Sequence, residues 1–204
     1  RHQCVHCCGP IEPRTKGRSL TMLWGDGNGP CTGRYCTACT EAMAIFFEDE
    51  GTALDARFDL IVMTGHVFQV FLEDEAVTAA LANLRRHLNP GGRIAFETRN
   101  AAVRDWETWT PERTATRVKV PAMGTVDVHY ALRSVDGPFV TFETHFQFAR
   151  DDSVVTTNTL RFMARDEVAK FLAGAGLAHV TWYGDWTGSP LSPESREIIA
   201  IAGR

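Results

Sequence analysis

Residues 58–100 read FDLIVMTGHVFQVFLEDEAVTAALANLRRHLNPGGRIAFETRN, and the order of apolar runs and breakers in this stretch decides the fold class. Phe58 to Met63 is a short apolar run with one early acid, the pattern of a strand buried on both faces. Thr64-Gly65-His66 interrupts it with small and polar groups. From Asp74 onward Val77, Leu81, Leu84 and Leu88 recur at helical spacing with Ala80 on the same face, which predicts an amphipathic helix. Asn89-Pro90-Gly91-Gly92 is expected to stop that helix, because Pro cannot continue it and Gly accepts positive φ. Arg93 to Thr98 then reads as a second buried strand. Two strands joined through a helix imply a parallel pair in an α/β sheet.

Working outward on the C-terminal side, Trp106 and Trp109 stand three apart on an expected helical turn. Such a pair faces the core more often than it forms a substrate cage. Its position straight after a strand, at the carboxyl edge of the sheet, makes it a candidate lining for an acceptor pocket. Period-2 alternation follows. Val126, Val128, Tyr130 and Leu132 form one face of a strand, and Val140, Phe142, Thr144, Phe146 and Phe148 one face of the next. Turns fall at Asp136-Gly137-Pro138 and Arg150-Asp151-Asp152, and a third strand runs over Val154–Phe162. This is an antiparallel meander with one greasy face, on which His129 and His145 would point to solvent. Arg165–Ala175 reads as an amphipathic helix with Val168, Phe171, Leu172 and Ala175 inward, and Ala178–Tyr183 and Glu197–Ala202 as the last two strands.

The bulk properties narrow the class. A chain of 204 residues can bury one full core and a small extra module. The net charge of −4 carries no basic signature for a polyanion, so nucleic acid is not an expected partner. No apolar run approaches 18 residues, so no transmembrane helix is expected. All six cysteines lie before residue 40. Clustering beside a thiol-free remainder suits a reduced cytosol with the cluster holding metal, rather than a disulfide framework.

The stretch 58–100 resembles the second half of a class I S-adenosylmethionine-dependent methyltransferase. The features that carry the likeness are FDLIV at the family's fourth strand, the helix ending HLNPGG, and RIAFETRN at its fifth strand. The ending, a helix followed by AGAGL, a strand, a loop and a strand, is similar to the family's final antiparallel hairpin, so the resemblance spans residues 58–204. It implies a Rossmann-like sheet, truncated at its N-terminal half, with the β insertion 118–162 as a cap over the acceptor site. It also implies S-adenosylmethionine as cofactor and a small-molecule acceptor. Ligands in open α/β sheets sit beyond the carboxyl ends of the strands. Thr64 and Gly65 are therefore expected at the cofactor, and Phe68, Gln69, Arg99, Asn100, Trp106 and Trp109 around the acceptor. His66 is the candidate base or acceptor contact, since its unperturbed pKa lies near neutrality; the bland alternative is a loop histidine that caps the next helix.

Residues 1–57 are harder to place. Cys4-Val5-His6-Cys7 and Cys36-Thr37-Ala38-Cys39 are two C-x-x-C pairs that could close a tetrahedral zinc site through Cys4, Cys7, Cys36 and Cys39, and residues 1–50 resemble a zinc ribbon. Unpaired thiols in a poorly specified segment are the other reading. A second pattern overlaps. Leu20-Thr21-Met22-Leu23-Trp24 precedes Gly25-Asp26-Gly27-Asn28-Gly29, a G-x-G-x-G in which Gly25, Gly27 and Gly29 could let backbone approach the cofactor, or could simply make a turn. The family needs a helix, a second strand, a further helix and a third strand before its fourth strand, and the interval from Pro30 to Arg57 does not hold them. A zinc ribbon fused to a shortened domain, a fragment, and a reading-frame error are the three explanations. Arg1 in place of Met fits a trimmed or partial chain. Residues 51–57 form the best boundary. Two functions follow: a cytoplasmic methyltransferase for a small acceptor, or an inactive remnant carrying a zinc-binding interaction module. An rRNA methyltransferase, some of which pair a zinc site with this domain, is opposed by the acidic balance.

Overall fold

The structure is a computed structural model that describes residues 20–23, 57–120, 124–148 and 152–203. Two sheets organise it. The first has the strand order β1-β2-β3-β9-β8, formed by β1 (Leu20–Leu23), β2 (Phe58–Thr64), β3 (Leu88–Arg99), β9 (Glu197–Gly203) and β8 (His179–Tyr183). β1, β2 and β3 run parallel; β9 lies antiparallel between β3 and β8. The second sheet is the expected meander, β4 (Thr116–Val120), β5 (Gly124–Asp136), β6 (Phe139–Phe148) and β7 (Ser153–Arg161), antiparallel throughout.

The helices α1 (Asp74–Arg86) and α3 (Arg165–Gly174) cover one face of the first sheet. Val77, Leu81 and Leu84 of α1 and Val168 and Leu172 of α3 meet Ile61, Met63, Ile94, Phe96 and Ala200 in the main core. The 3.6-residue period of the α1 sequence thus delivers its apolar stripe where the crossover of a parallel pair requires it. A one-turn helix, α2 (Pro111–Thr114), leads into β4. A second apolar cluster packs the segment after β3 against the second sheet, with Trp106, Trp109, Val140, Phe142 and Phe162 at its centre.

One expectation is corrected: α1 ends at Arg86, and Asn89-Pro90-Gly91-Gly92 belongs to β3 rather than to a helix stop; Leu88, expected on the helix face, is the first residue of that strand. The cause is pairing. The Phe58 amide donates to the His87 carbonyl at 2.8 Å, Leu88 registers with Phe58, and a bulge absorbs the residues up to the Leu60–Arg93 pair. Gly92 is required inside the bulge, because a Cβ there would lie 2.8 Å from the Phe58 carbonyl oxygen. The helical turn at Trp106 is 3-10 (Asp105–Thr108). His129 and His145 lie on the less buried face of their strands, half-buried and stacked on one another with ring centroids 4.6 Å apart.

β1 bears on the N-terminal puzzle. Leu20–Leu23 takes the place beside β2, with Leu23 level with Thr64. The apolar run ahead of the glycines therefore ends at the same edge of the sheet as the loop Thr64–His66. Gly25, Gly27 and Gly29, and Cys4, Cys7, Cys36 and Cys39, lie outside the described residues. Among the described residues no helix is long and apolar enough to cross a membrane, and no group of three His, Cys, Asp or Glu could hold a metal ion.

Candidate functional site

The parallel strands β2 and β3 end side by side, with Met63 level with Phe96. The chain leaves β2 through Thr64-Gly65-His66, and both Gly65 (φ 75°) and His66 (φ 58°) are left-handed. Glycine adopts that conformation freely. A histidine held there is strained by about 1–3 kcal/mol and needs its surroundings to hold it. The holder is Glu97 on β3. Its Oε1 accepts the backbone amides of Gly65 at 2.8 Å and His66 at 3.3 Å, while its Oε2 accepts the indole N–H of Trp186. Glu97 is only 8% exposed, and a carboxylate so deep in a sheet stands because donors surround it.

Antiparallel β9 brings the second acid. Its first residue, Glu197, registers with Arg99 at the carboxyl end of β3. From there Oε2 of Glu197 lies 2.9 Å from Nε2 of His66. The other ring nitrogen, Nδ1, is buried and has no hydrogen-bond partner among the described residues. The β8–β9 loop overhangs the same edge. Trp186 stands on it half-exposed, its ring edge pinned to Glu97.

The remaining candidates lie behind this cluster. Arg99 donates to Oε1 of Gln69 at 3.0 Å and lies over the Trp109 ring. Burial pushes its guanidinium below the ordinary arginine value, with Glu197 the largest opposing influence. Gln69, fully buried, uses its amide N–H on the Arg161 carbonyl, so it links Arg99 to the end of the second sheet. Asn100 is committed on both sides: Nδ2 donates to the carbonyls of Ser195 and Pro193, and Oδ1 accepts the Ala102 amide. It anchors the overhanging loop. Phe68 has no exposed surface and stacks on Phe96 at 4.4 Å, and Trp106 and Trp109 are packed among Tyr130, Phe142 and Phe162. These aromatic residues, expected around the acceptor, are packed as core.

Thr64, Gly65, His66, Arg99 and Gln69 are thus brought to one edge. Glu97, Glu197 and Trp186 join them without having been expected. Glu97 carried a signal, a lone acid inside the buried run RIAFET. Glu197 and Trp186 carried none, because only the antiparallel insertion of β9 and the fold of its loop bring them here.

No protein-family model matches the sequence, and no curated protein matches it either. Solved structures do. A S-adenosylmethionine-dependent methyltransferase from Clostridium acetobutylicum matches with a TM-score of 0.61 at 12% identity, over 74% of this chain and 60% of that one. The CcbJ methyltransferase of Streptomyces caelestis matches at 0.58 and 17% identity, over 76% and 62%. The sugar N-methyltransferase KedS8 of Streptoalloteichus matches at 0.52 and 15% identity, over 76% and 60%. The chain spans about three-fifths of the length of these structures. Both the strand order and these likenesses give the chain the Rossmann-like fold that these methyltransferases share.

Proposed function

We propose that the protein transfers a methyl group from S-adenosylmethionine to a small-molecule acceptor. One observation carries the reading: a strained Gly65-His66 turn, buttressed by Glu97 and facing Glu197, sits at the carboxyl ends of adjacent parallel strands, where open α/β sheets bind ligands. The residues present fit the cofactor on this side. Gly65 gives the cofactor backbone room, and the bare, buried Nδ1 of His66 leaves one polar position for the acceptor to satisfy. S-adenosylmethionine, when bound, supplies a methyl group already activated by its sulfonium. The chain's own residues have to hold the acceptor close and aligned and receive its proton. His66 is assigned the proton, Thr64 and Gly65 the cofactor edge, and Gln69 and Arg99 the polar back wall. Asn100, Phe68, Trp106 and Trp109 act from beneath, by anchoring and packing.

On the other side of the crevice, Gly25, Gly27 and Gly29 are proposed as the cofactor loop. The support is β1, which ends directly before them, level with Thr64. The acceptor is proposed to be small, with the meander proposed as a cap over this edge, and the net charge of −4 offers no attraction to nucleic acid. The zinc ribbon on Cys4, Cys7, Cys36 and Cys39, and a location in the reducing cytoplasm, remain proposals from cysteine spacing alone.

Calorimetric titration of the full chain with S-adenosylmethionine and S-adenosylhomocysteine tests the reading. Binding in the micromolar range is expected, followed by transfer of labelled methyl to amine- or hydroxyl-bearing sugars offered as probes. No detectable binding of either nucleoside would sink it. The second reading, an inactive remnant beside a zinc-binding module, draws on the short interval between β1 and β2. It expects stoichiometric zinc, lost in Cys36→Ser, with no cofactor binding.

A further inference from the structure

Two acids converge on one histidine, and they act on different parts of it. Glu97 holds the backbone of His66, whereas Glu197 touches only its ring. We infer that Glu197 is a positioning residue: it fixes His66 as the Nε2–H tautomer and so leaves the Nδ1 lone pair as the proton acceptor of the site. The inference rests on the methyltransferase reading and adds the residue that gives the proton its direction.

The chemistry is as follows. An ionised carboxylate can only accept hydrogen bonds, so the 2.9 Å contact places the ring proton on Nε2. A neutral imidazole with its proton on Nε2 carries its lone pair on Nδ1. That atom is buried and meets no partner among the described residues. A buried acceptor left unpaired costs about 1–3 kcal/mol, which suits a position that a reacting group is to fill. The strained backbone of His66 belongs to the same design, since a relaxed turn would swing the ring off Glu197. The other charged groups bearing on the cluster are Glu97 and Arg99 from β3. Asp105 acts through Arg99 and is itself paired with Arg196.

During transfer the acceptor's lone pair bonds to the methyl carbon, and the carbon–sulfur bond breaks with its electrons passing to sulfur. The acceptor's proton moves to Nδ1 of His66. The resulting imidazolium keeps its Nε2–H on Glu197, whose negative charge faces the positive charge just formed. The same logic lets a carboxylate orient a catalytic imidazole in other acyl- and group-transfer sites.

Nitrogen NMR of the full chain, labelled at histidine and free of ligand, tests this near pH 8. His66→Asn identifies the His66 signals among the seven histidines; Asn tolerates the left-handed backbone, so the fold is kept. The expected result is a proton on Nε2, hydrogen-bonded and slow to exchange, with Nδ1 bare. In Glu197→Ala that proton should lose its hydrogen-bonded shift and exchange at least tenfold faster. A proton on Nδ1 in the unaltered chain overturns the inference, and so does an Nε2 proton whose shift and exchange ignore Glu197→Ala. The unaltered chain alone decides the tautomer, so a poorly folded variant does not rescue a failed inference. Titration with S-adenosylhomocysteine separates the two claims: its failure removes the methyltransferase reading, whereas the NMR signature decides Glu197.

Discussion

Among the described residues two histidine–glutamate pairs have nearly equal length, one at the edge of the first sheet and one on the antiparallel meander. His66 and Glu197 stand 2.9 Å apart, and His145 and Glu143 stand 2.8 Å apart. Everything around them differs. Glu143 and His145 are two residues apart on β6, as the period of a strand requires of same-face neighbours. Arg133 shares the carboxylate and, more than His145, holds Glu143 below its ordinary carboxylate value; His129 stacks on the imidazole. That pair is one link in a cross-strand polar ladder on a sheet face. Glu197 reaches His66 across 131 residues of sequence, makes no ion pair with Arg or Lys among the described residues, and leaves a ring nitrogen buried and bare. Distance alone does not separate the two. The difference lies in what each pair leaves unsatisfied.

The hardest way to break this contrast is from below. The turn that carries His66 continues into Val67–Val70, and its Phe68 is fully buried against Phe96 and Phe71. Phe68→Ala removes an entire ring from the main core. It is expected to cost about 4 kcal/mol of stability, read as a lower denaturant midpoint with an unchanged slope. A loss below about 1 kcal/mol would mean that the turn is not seated on the core as described.

A more selective break compares the histidines directly. His66→Asn removes the ring while suiting the left-handed backbone, and His145→Asn makes the same change on the meander. Methyl transfer to the best sugar probe is expected to fall about 100-fold in the first and less than about twofold in the second, the scale of a lost general base. Cofactor affinity should change little in either. Equal losses would erase the distinction, and no loss at His66 would return it to a loop residue.

Trp186 probes the upper side of the first pair at smaller scale. Trp186→Phe keeps an aromatic face on the overhanging loop but removes the donor to Glu97, which then relies on the two backbone amides. Stability is expected to drop by about 1 kcal/mol or less, and transfer to fall several-fold through looser packing over the site. A fall as large as that of His66→Asn would show that the loop, not the turn, organises the edge.

How much of this was legible in the sequence follows the same divide. The strand Phe58–Thr64, the helix after it and the antiparallel meander were readable because local periodicity dictates them: every second residue inward in β5 and β6, every third or fourth in α1. The Asn89–Gly92 bulge was misread because Pro and Gly signal a break without saying which element breaks, and the deciding contact, Phe58 to His87, is made by backbone. At the candidate site, Gly65 and His66 drew notice because they interrupt an apolar run. Glu197 and Trp186 were not, since no local rule says that β9 will insert beside β3. Trp106 and Trp109 show the converse. Their spacing was visible, but whether they line a pocket or fill a wall depends on Phe142 and Phe162, more than thirty residues away.

The smallest effect is a pH response in the loop that carries Trp186. Asp185 Oδ1 accepts the backbone amides of Thr187 and Ser189 and the Thr187 hydroxyl. Hydrogen bonds from Ser189 first, then Thr187, hold its carboxyl well below the ordinary value of 3.8. A group depressed on folding stabilises the folded turn at every pH above its unfolded value, and that contribution is lost as pH falls through the folded value. The amide resonances of Thr187 and Ser189 should therefore stay fixed from pH 7 down to about 4 and move only under more acid conditions. In Asp185→Asn, whose amide oxygen accepts but does not titrate, the same resonances should show no acid step. Movement beginning above pH 4 in the unaltered chain would mean that the turn binds an ordinary carboxylate. The overhang of Trp186 would then owe its position to Glu97 and Asn100 alone.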